Sequence, residues 1–238
     1  KILGFTKNFY MYDKVKGALL SESINQKKFV SLLEWSNKNL WQEFEVKNFH
    51  NLCYEFYINK TRKRVAKFLE NNNESSYING ESIPSVWDLL DKIDNEWLCR
   101  GKPVRFHGDF ILDNILETHE GFCLLDWRQD FAGQLECGDL YYDFAKLNHN
   151  LTVNHEIVNK KLYNEEPDNC FILCNSKLLE CKRSLRLFIE ISGYDYKKVE
   201  ILTALIWLNM SPLHEYPFNK FLFNFGKYKL SKELSSEY

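Results

Sequence analysis

Apolar residues recur at three- and four-residue intervals through most of this chain, and only a few short stretches alternate. Val30, Leu33 and Leu40 predict the inner face of a helix over residues 23–40, with Ser23 placed to cap it. Phe49, Leu52, Phe56, Val65 and Phe68 predict a second helix over 46–70. Its other face carries Lys60, Arg62, Lys63 and Arg64 and reads as solvated surface. A polar loop at 71–76 follows, and Pro84 or Ser85 starts a third helix through Trp87, Leu90, Ile93 and Trp97. Further helices are expected over 138–150, 155–163, 176–192 with Gly193 as the stop, 197–209 and 218–225. Strand-like runs are short, at 9–12, 104–106, 115–116 and 122–125. The pattern predicts an α+β fold that is predominantly helical.

At 238 residues, 45% hydrophobic and 27% charged, the chain is globular and long enough to bury a substantial core. A net charge of −2 gives no electrostatic reason to expect nucleic acid as a partner. No apolar run approaches the roughly 20 residues that a membrane crossing needs, and no signal-peptide pattern opens the sequence. Seven cysteines lack a CxxC pattern or a histidine at zinc-finger spacing from Cys170, Cys174 and Cys181, so buried thiols in a reducing cytoplasm are expected. Aromatics, at 16%, fall within helical patterns and suit a packed core; a cage for an organic cation is the alternative use.

Candidate chemistry concentrates between Arg105 and Lys146. The chain there reads Arg-Phe-His-Gly-Asp-Phe-Ile-Leu-Asp-Asn, then Phe-Cys-Leu-Leu-Asp-Trp-Arg, then Gly-Asp-Leu-Tyr-Tyr-Asp-Phe-Ala-Lys. Phosphoryl transfer needs such a set: a carboxylate for the acceptor hydroxyl, and an amide and a second carboxylate as oxygen ligands for magnesium. His-Gly-Asp alone is a weak signal. Asn114 five residues after Asp109, Asp126-Trp127 after an apolar run, and Gly138-Asp139 followed by Asp143-Phe144-Ala145 together make it specific. On these residues the chain resembles the aminoglycoside phosphotransferase and choline kinase-like family.

The resemblance implies the carboxy-terminal lobe of a protein-kinase-like fold, with short β-hairpins carrying the catalytic and metal loops. It implies ATP and magnesium as cofactors and a small-molecule hydroxyl as substrate. Asp109 would be the catalytic carboxylate, and Asn114 and Asp126 the metal ligands. His107, Asp139 and Asp143 would be structural supports for those loops, and Leu116 the apolar floor beneath adenine. Within residues 1–17, the strand at 9–12 and the turn to Gly17 resemble an interlobe hinge, with Asp13 C=O and Val15 N–H facing adenine. The glycine-rich loop, strand lysine and helix glutamate of such kinases do not appear ahead of it. Residues 1–17 are thus expected to be a remnant of the other lobe and 18–238 the helical lobe, a weak catalyst by itself.

Ile111 stands where many relatives carry a basic residue, leaving the charge on the transferring phosphate to another group; Arg128 could supply it or could bind Asp130. The acceptor region is expected at 194–216, including Trp207, Asn209, His214 and Glu215. A sugar or sugar-derived alcohol, such as one used in surface glycan synthesis, is favoured there; choline or ethanolamine (a Trp207, Tyr216 and Glu215 cage) and an aminoglycoside are the alternatives. A catalytically inactive binding module is the reading from another class.

Overall fold

Helices account for 53% of the chain, and the strands come only as short antiparallel pairs. This computed structural model describes residues 2–164, 166 and 169–236. The strands are β1 (Ile2–Phe5), β2 (Tyr10–Tyr12), β3 (Ala18–Leu19), β4 (Tyr77–Ile78), β5 (Glu81–Ser82), β6 (Pro103–Val104), β7 (Ile115–Thr118), β8 (Gly121–Leu124), β9 (Gly138–Asp139), β10 (Tyr163–Asn164) and β11 (Phe171–Ile172). The helices are α1 (Leu20–Ser23), α2 (Gln26–Asn39), α3 (Phe49–Tyr54), α4 (Lys60–Leu69), α5 (Val86–Asp91), α6 (Asn95–Leu98), α7 (Leu140–Asn150), α8 (His155–Asn159), α9 (Ser176–Ile191), α10 (Tyr196–Met210) and α11 (Phe218–Ser235).

Helix α10 is the centre of the helical body. It is apolar on nearly every side, from Val199 through Leu208, and such a helix must be buried all round. It packs against α7, α11 and α4. Phe68 of α4 stacks on Phe223 of α11 at 4.3 Å between ring centroids. The hairpin β7–β8 lies at the edge of this body, with β3 added beside β7 in the register Leu19 to Leu116. A second small pair, β6 with β9, ties the strand before the His107–Asn114 loop to the start of α7.

Several helix limits differ from the sequence pattern. The first helix breaks at Ile24, and the N-cap of α2 is Asn25, whose side chain accepts from Lys28 N–H. Phe29, Leu32 and Leu33 face inward, and Val30 is exposed. The third helix splits into α5 and α6 because Ser85 and Asp94 each cap a new start. Helix α11 runs ten residues past the expected 225.

Between α3 and α4 a π turn spans Glu55–Asn59. Phe56 and Val65, nine residues apart, would fall on opposite faces of a regular helix at about 100° per residue. Both are buried, and the π turn absorbs the mismatch. The polar residues that follow it do not all face solvent as the sequence suggested: Lys60 and Arg64 turn inward to line a cavity. Arg62 pairs with Asp91, and Lys63 is exposed.

Candidate functional site

The loop from β6 to β7 is shaped by its shortest and its most buried residues. Gly108 has φ +79°, and a Cβ on it would lie 2.5 Å from Arg128 Cβ, so only glycine lets these backbones approach. His107 is sealed from solvent. Its Nε2 lies 2.7 Å from Leu125 O, and its Nδ1 accepts Asp109 N–H at 3.2 Å. These partners assign the proton to Nε2. Burial lowers the imidazole pKa and keeps the ring neutral. His107 therefore ties the backbone of Asp109 to the end of β8, just ahead of Asp126.

Below the loop, Asp143 of α7 accepts His107 N–H at 2.9 Å, Gly108 N–H at 2.8 Å and Trp41 Nε1–H at 3.0 Å. Burial lifts this carboxyl to about 6, against the pull of those three donors. Asp139 is the N-cap of α7, accepting Tyr141 N–H at 3.2 Å, Lys102 N–H at 2.8 Å and Tyr57 Oη–H at 2.8 Å. Burial raises its pKa too. Asp143 thus braces the His107–Gly108 backbone, whereas Asp139 fastens α7 to the turn before β6 and to the π turn.

Asp109 and Asn114 meet. Asn114 Nδ2 donates to Asp109 O at 3.0 Å and to Asp109 Oδ2 at 3.2 Å, which fixes the amide orientation because both partners only accept. Asn114 Oδ1 is left for another partner. Leu125 N–H donates to Asn114 O at 2.8 Å, so Asp126 follows one residue after the Asn114 register. Asp126 has φ +53°, an unusual backbone for a non-glycine residue, and its side chain is exposed with no bonded partner among the described residues. Two free oxygen-bearing groups at adjacent backbone positions fit magnesium, which prefers one or two protein oxygens with waters and phosphates over a protein cage. Among the described residues, no three His, Cys, Asp or Glu side chains cluster as a metal centre of their own.

The sequence reading missed Lys146, whose Nζ lies 2.6 Å from Asp109 Oδ1. The signal was present: Lys146 is three residues beyond Asp143, on the same side of α7. It places a positive charge at Asp109 where Ile111 offers none. Arg128 does not pair with Asp130. Its guanidinium lies 4.9 Å from the Phe56 ring centroid and 5.7 Å from that of Tyr142, and Asp130 instead accepts Gly133 N–H at 2.6 Å.

Asp13 and Val15 lie in the irregular segment between β2 and β3, and Val15 N–H engages no backbone partner among the described residues. That segment runs against β7: a Cβ on Gly17 would lie 2.7 Å from Glu117 O and 3.2 Å from Leu116 Cβ. Leu116 is half-buried, while its neighbour Ile115 is sealed in the core. The segment read as a hinge and Leu116, read as the floor beneath adenine, are therefore adjacent. The aromatic cage of the choline alternative does not form: Trp207 is 1% exposed inside the core, and Tyr216 is 73% exposed.

Residues 45–156 match the model of the phosphotransferase enzyme family. Over that segment, just under half of the chain, the sequence is similar to that family. The matched segment contains Asp109, Asn114 and Asp126 together with α7 and its supports. No curated protein and no solved structure matches the chain. The phosphotransferase-like assignment rests on the loop-to-helix segment and agrees with the predominantly helical α+β architecture.

Proposed function

We propose that this phosphotransferase-like chain moves the γ-phosphate of ATP to a hydroxyl of a small molecule. The observation that carries the reading is the Asp109 carboxylate, held from one side by the Asn114 amide and from the other by the Lys146 ammonium. So held, Asp109 orients the acceptor hydroxyl and takes its proton as the acceptor oxygen bonds to phosphorus and the bond to the β-phosphate oxygen breaks. Asn114 Oδ1 and the Asp126 carboxylate would hold magnesium, which supplies charge neutralisation at the phosphates when bound. Lys146 takes the place of the basic residue absent at Ile111.

Residues up to Gly17 serve in this reading as strand and hinge, and those from Ala18 onward as the helical lobe. The hairpin β1–β2 leaves Leu3, Phe5, Phe9 and Met11 exposed, which suits a segment belonging to another lobe. Seven free thiols support a reducing compartment, the cytoplasm. A sugar or sugar-derived alcohol is the favoured acceptor class, because the cation cage that choline would need is not formed.

Calorimetry with magnesium-ATP and turnover against a panel of sugars and amino-alcohols test the proposal. Asp109→Asn is expected to keep nucleotide binding and abolish turnover, while Asp126→Asn weakens binding and turnover together. Magnesium-ATP binding without turnover of any acceptor would replace the proposal with the binding-module reading.

A further inference from the structure

A cavity of about 190 Å³ opens between α4, α7 and α10, and its lining includes Lys60, Arg64, Arg128 and Lys146 but no acidic residue. A second cavity of about 240 Å³, lined by Asp109, shares Lys146 and Met210 with the first. Together they are on the scale of a small-molecule site, about 300–1,000 Å³. Neither the hinge segment, Leu116, Asn114 nor Asp126 lines the first cavity, so it lies to one side of the groups assigned to nucleotide and metal.

Four basic side chains in one recess are costly unless something compensates. Only Lys146 has a carboxylate partner among the described residues, and that partner is Asp109. Lys60 Nζ sits 3.5 Å from the Phe56 ring centroid, and the Arg128 guanidinium lies over the same ring. Aromatic faces attract these cations without neutralising them. Arg64 Nη1 donates to Asn209 O at 2.9 Å, a neutral partner. Arg128 Nε is buried with no hydrogen-bond partner among the described residues. Burial and the neighbouring Arg128, Arg64 and Lys146 hold Lys60 down to about 6, a state that a nearby anion reverses.

We infer that the acceptor is an alcohol that already carries a compact anionic group, a phosphate monoester or a carboxylate, seated among Lys60, Arg64 and Arg128 with its hydroxyl directed to Asp109. This inference rests on the proposed phosphotransfer reading and narrows it. The opposite class, cationic acceptors such as aminoglycosides and choline, meets repulsion in the same recess.

Two measurements separate this claim from the parent one. The first is binding of inorganic phosphate to the full chain, by calorimetry, with no nucleotide present. Arg64→Met and Lys60→Met are expected to weaken it about ten-fold or more, as the loss of a charge-assisted contact does. Arg62→Met, which removes the same charge from the outer face of α4, leaves it unchanged. Equal effects from all three variants, or weakening of magnesium-ATP by Arg64→Met to the same degree as phosphate, would overturn the inference. The second is turnover of paired acceptors: glycerol against glycerol 3-phosphate, glucose against glucose 6-phosphate, and glycerol against glycerate. A higher kcat/KM for the anionic member of a pair supports the inference; preference for the neutral member, or for kanamycin, refutes it. Phosphate binding that depends on Arg64 and Lys60 in a chain that turns over no acceptor would leave the anion site standing and sink the phosphotransfer reading.

Discussion

Asp143→Asn tests whether the loop under Asp109 is held as its geometry indicates. The side chain is fully buried and accepts three N–H donors at 2.8 to 3.0 Å. Asparagine keeps the size but replaces one acceptor oxygen with an amino group. At least one donor is then left facing another donor in the core, at a cost of about 1–3 kcal/mol. Charge acts in the other direction. Burial lifts the native carboxyl from 3.8 to about 6, so the folded chain holds a proton at pH values where the unfolded chain has lost it. Stability from this group is fully present below 3.8 and is lost as pH rises through about 6. Between pH 7 and pH 5 the wild-type protein gains about 1 kcal/mol from it, and the amide variant gains nothing. The expected outcome is a variant less stable by on the order of 1–3 kcal/mol at pH 7, with the gap widening by about 1 kcal/mol at pH 5. Urea unfolding followed by tryptophan fluorescence from pH 5 to 8 reads both numbers. A gap that stays constant or narrows toward pH 5 would refute the raised carboxyl, and an Asp143→Asn variant as stable as wild type at pH 7 would refute the bracing role assigned to Asp143.

Two other substitutions probe the site. Lys146→Met should lower kcat by about two orders of magnitude, the scale for losing one preorganised charge at a reacting group. Adding Ile111→Lys to that variant should restore part of the rate; steady-state kinetics decide, and no rescue would mean that Lys146 only orders the loop. Gly17→Ala drives a Cβ into Glu117 O, where the β3–β7 pairing leaves no room to yield. It should cost about 1–3 kcal/mol and weaken magnesium-ATP, measured by thermal unfolding and calorimetry; an unaltered nucleotide affinity would separate the hinge from adenine.

Much of the fold was legible because helix periodicity and turn chemistry are local. The spans of α7, α9 and α10 came within about two residues of the structure, and so did the hairpin between Asn114 and Asp126. Breaks were harder to read. Asn25 and Asp94 cap new helices inside runs whose apolar spacing looked continuous. The π turn left a trace in the half-turn mismatch of Phe56 and Val65, which acquires meaning only once both are known to be buried.

The sequence by itself determined the chemical set: Asp109, Asn114 and Asp126 at offsets that one loop and one hairpin can bring together, with His-Gly ahead and two aspartates behind. Those relations span a few tens of residues and are governed by backbone geometry. Tertiary structure alone decided what surrounds that set. Lys60 and Arg64 of α4, Arg128 after β8 and Lys146 of α7 share a recess only because α10 packs against both α4 and α7. A charge on a helix reads as solvated surface until its neighbours are known, and here the neighbours are aromatic rings and other cations.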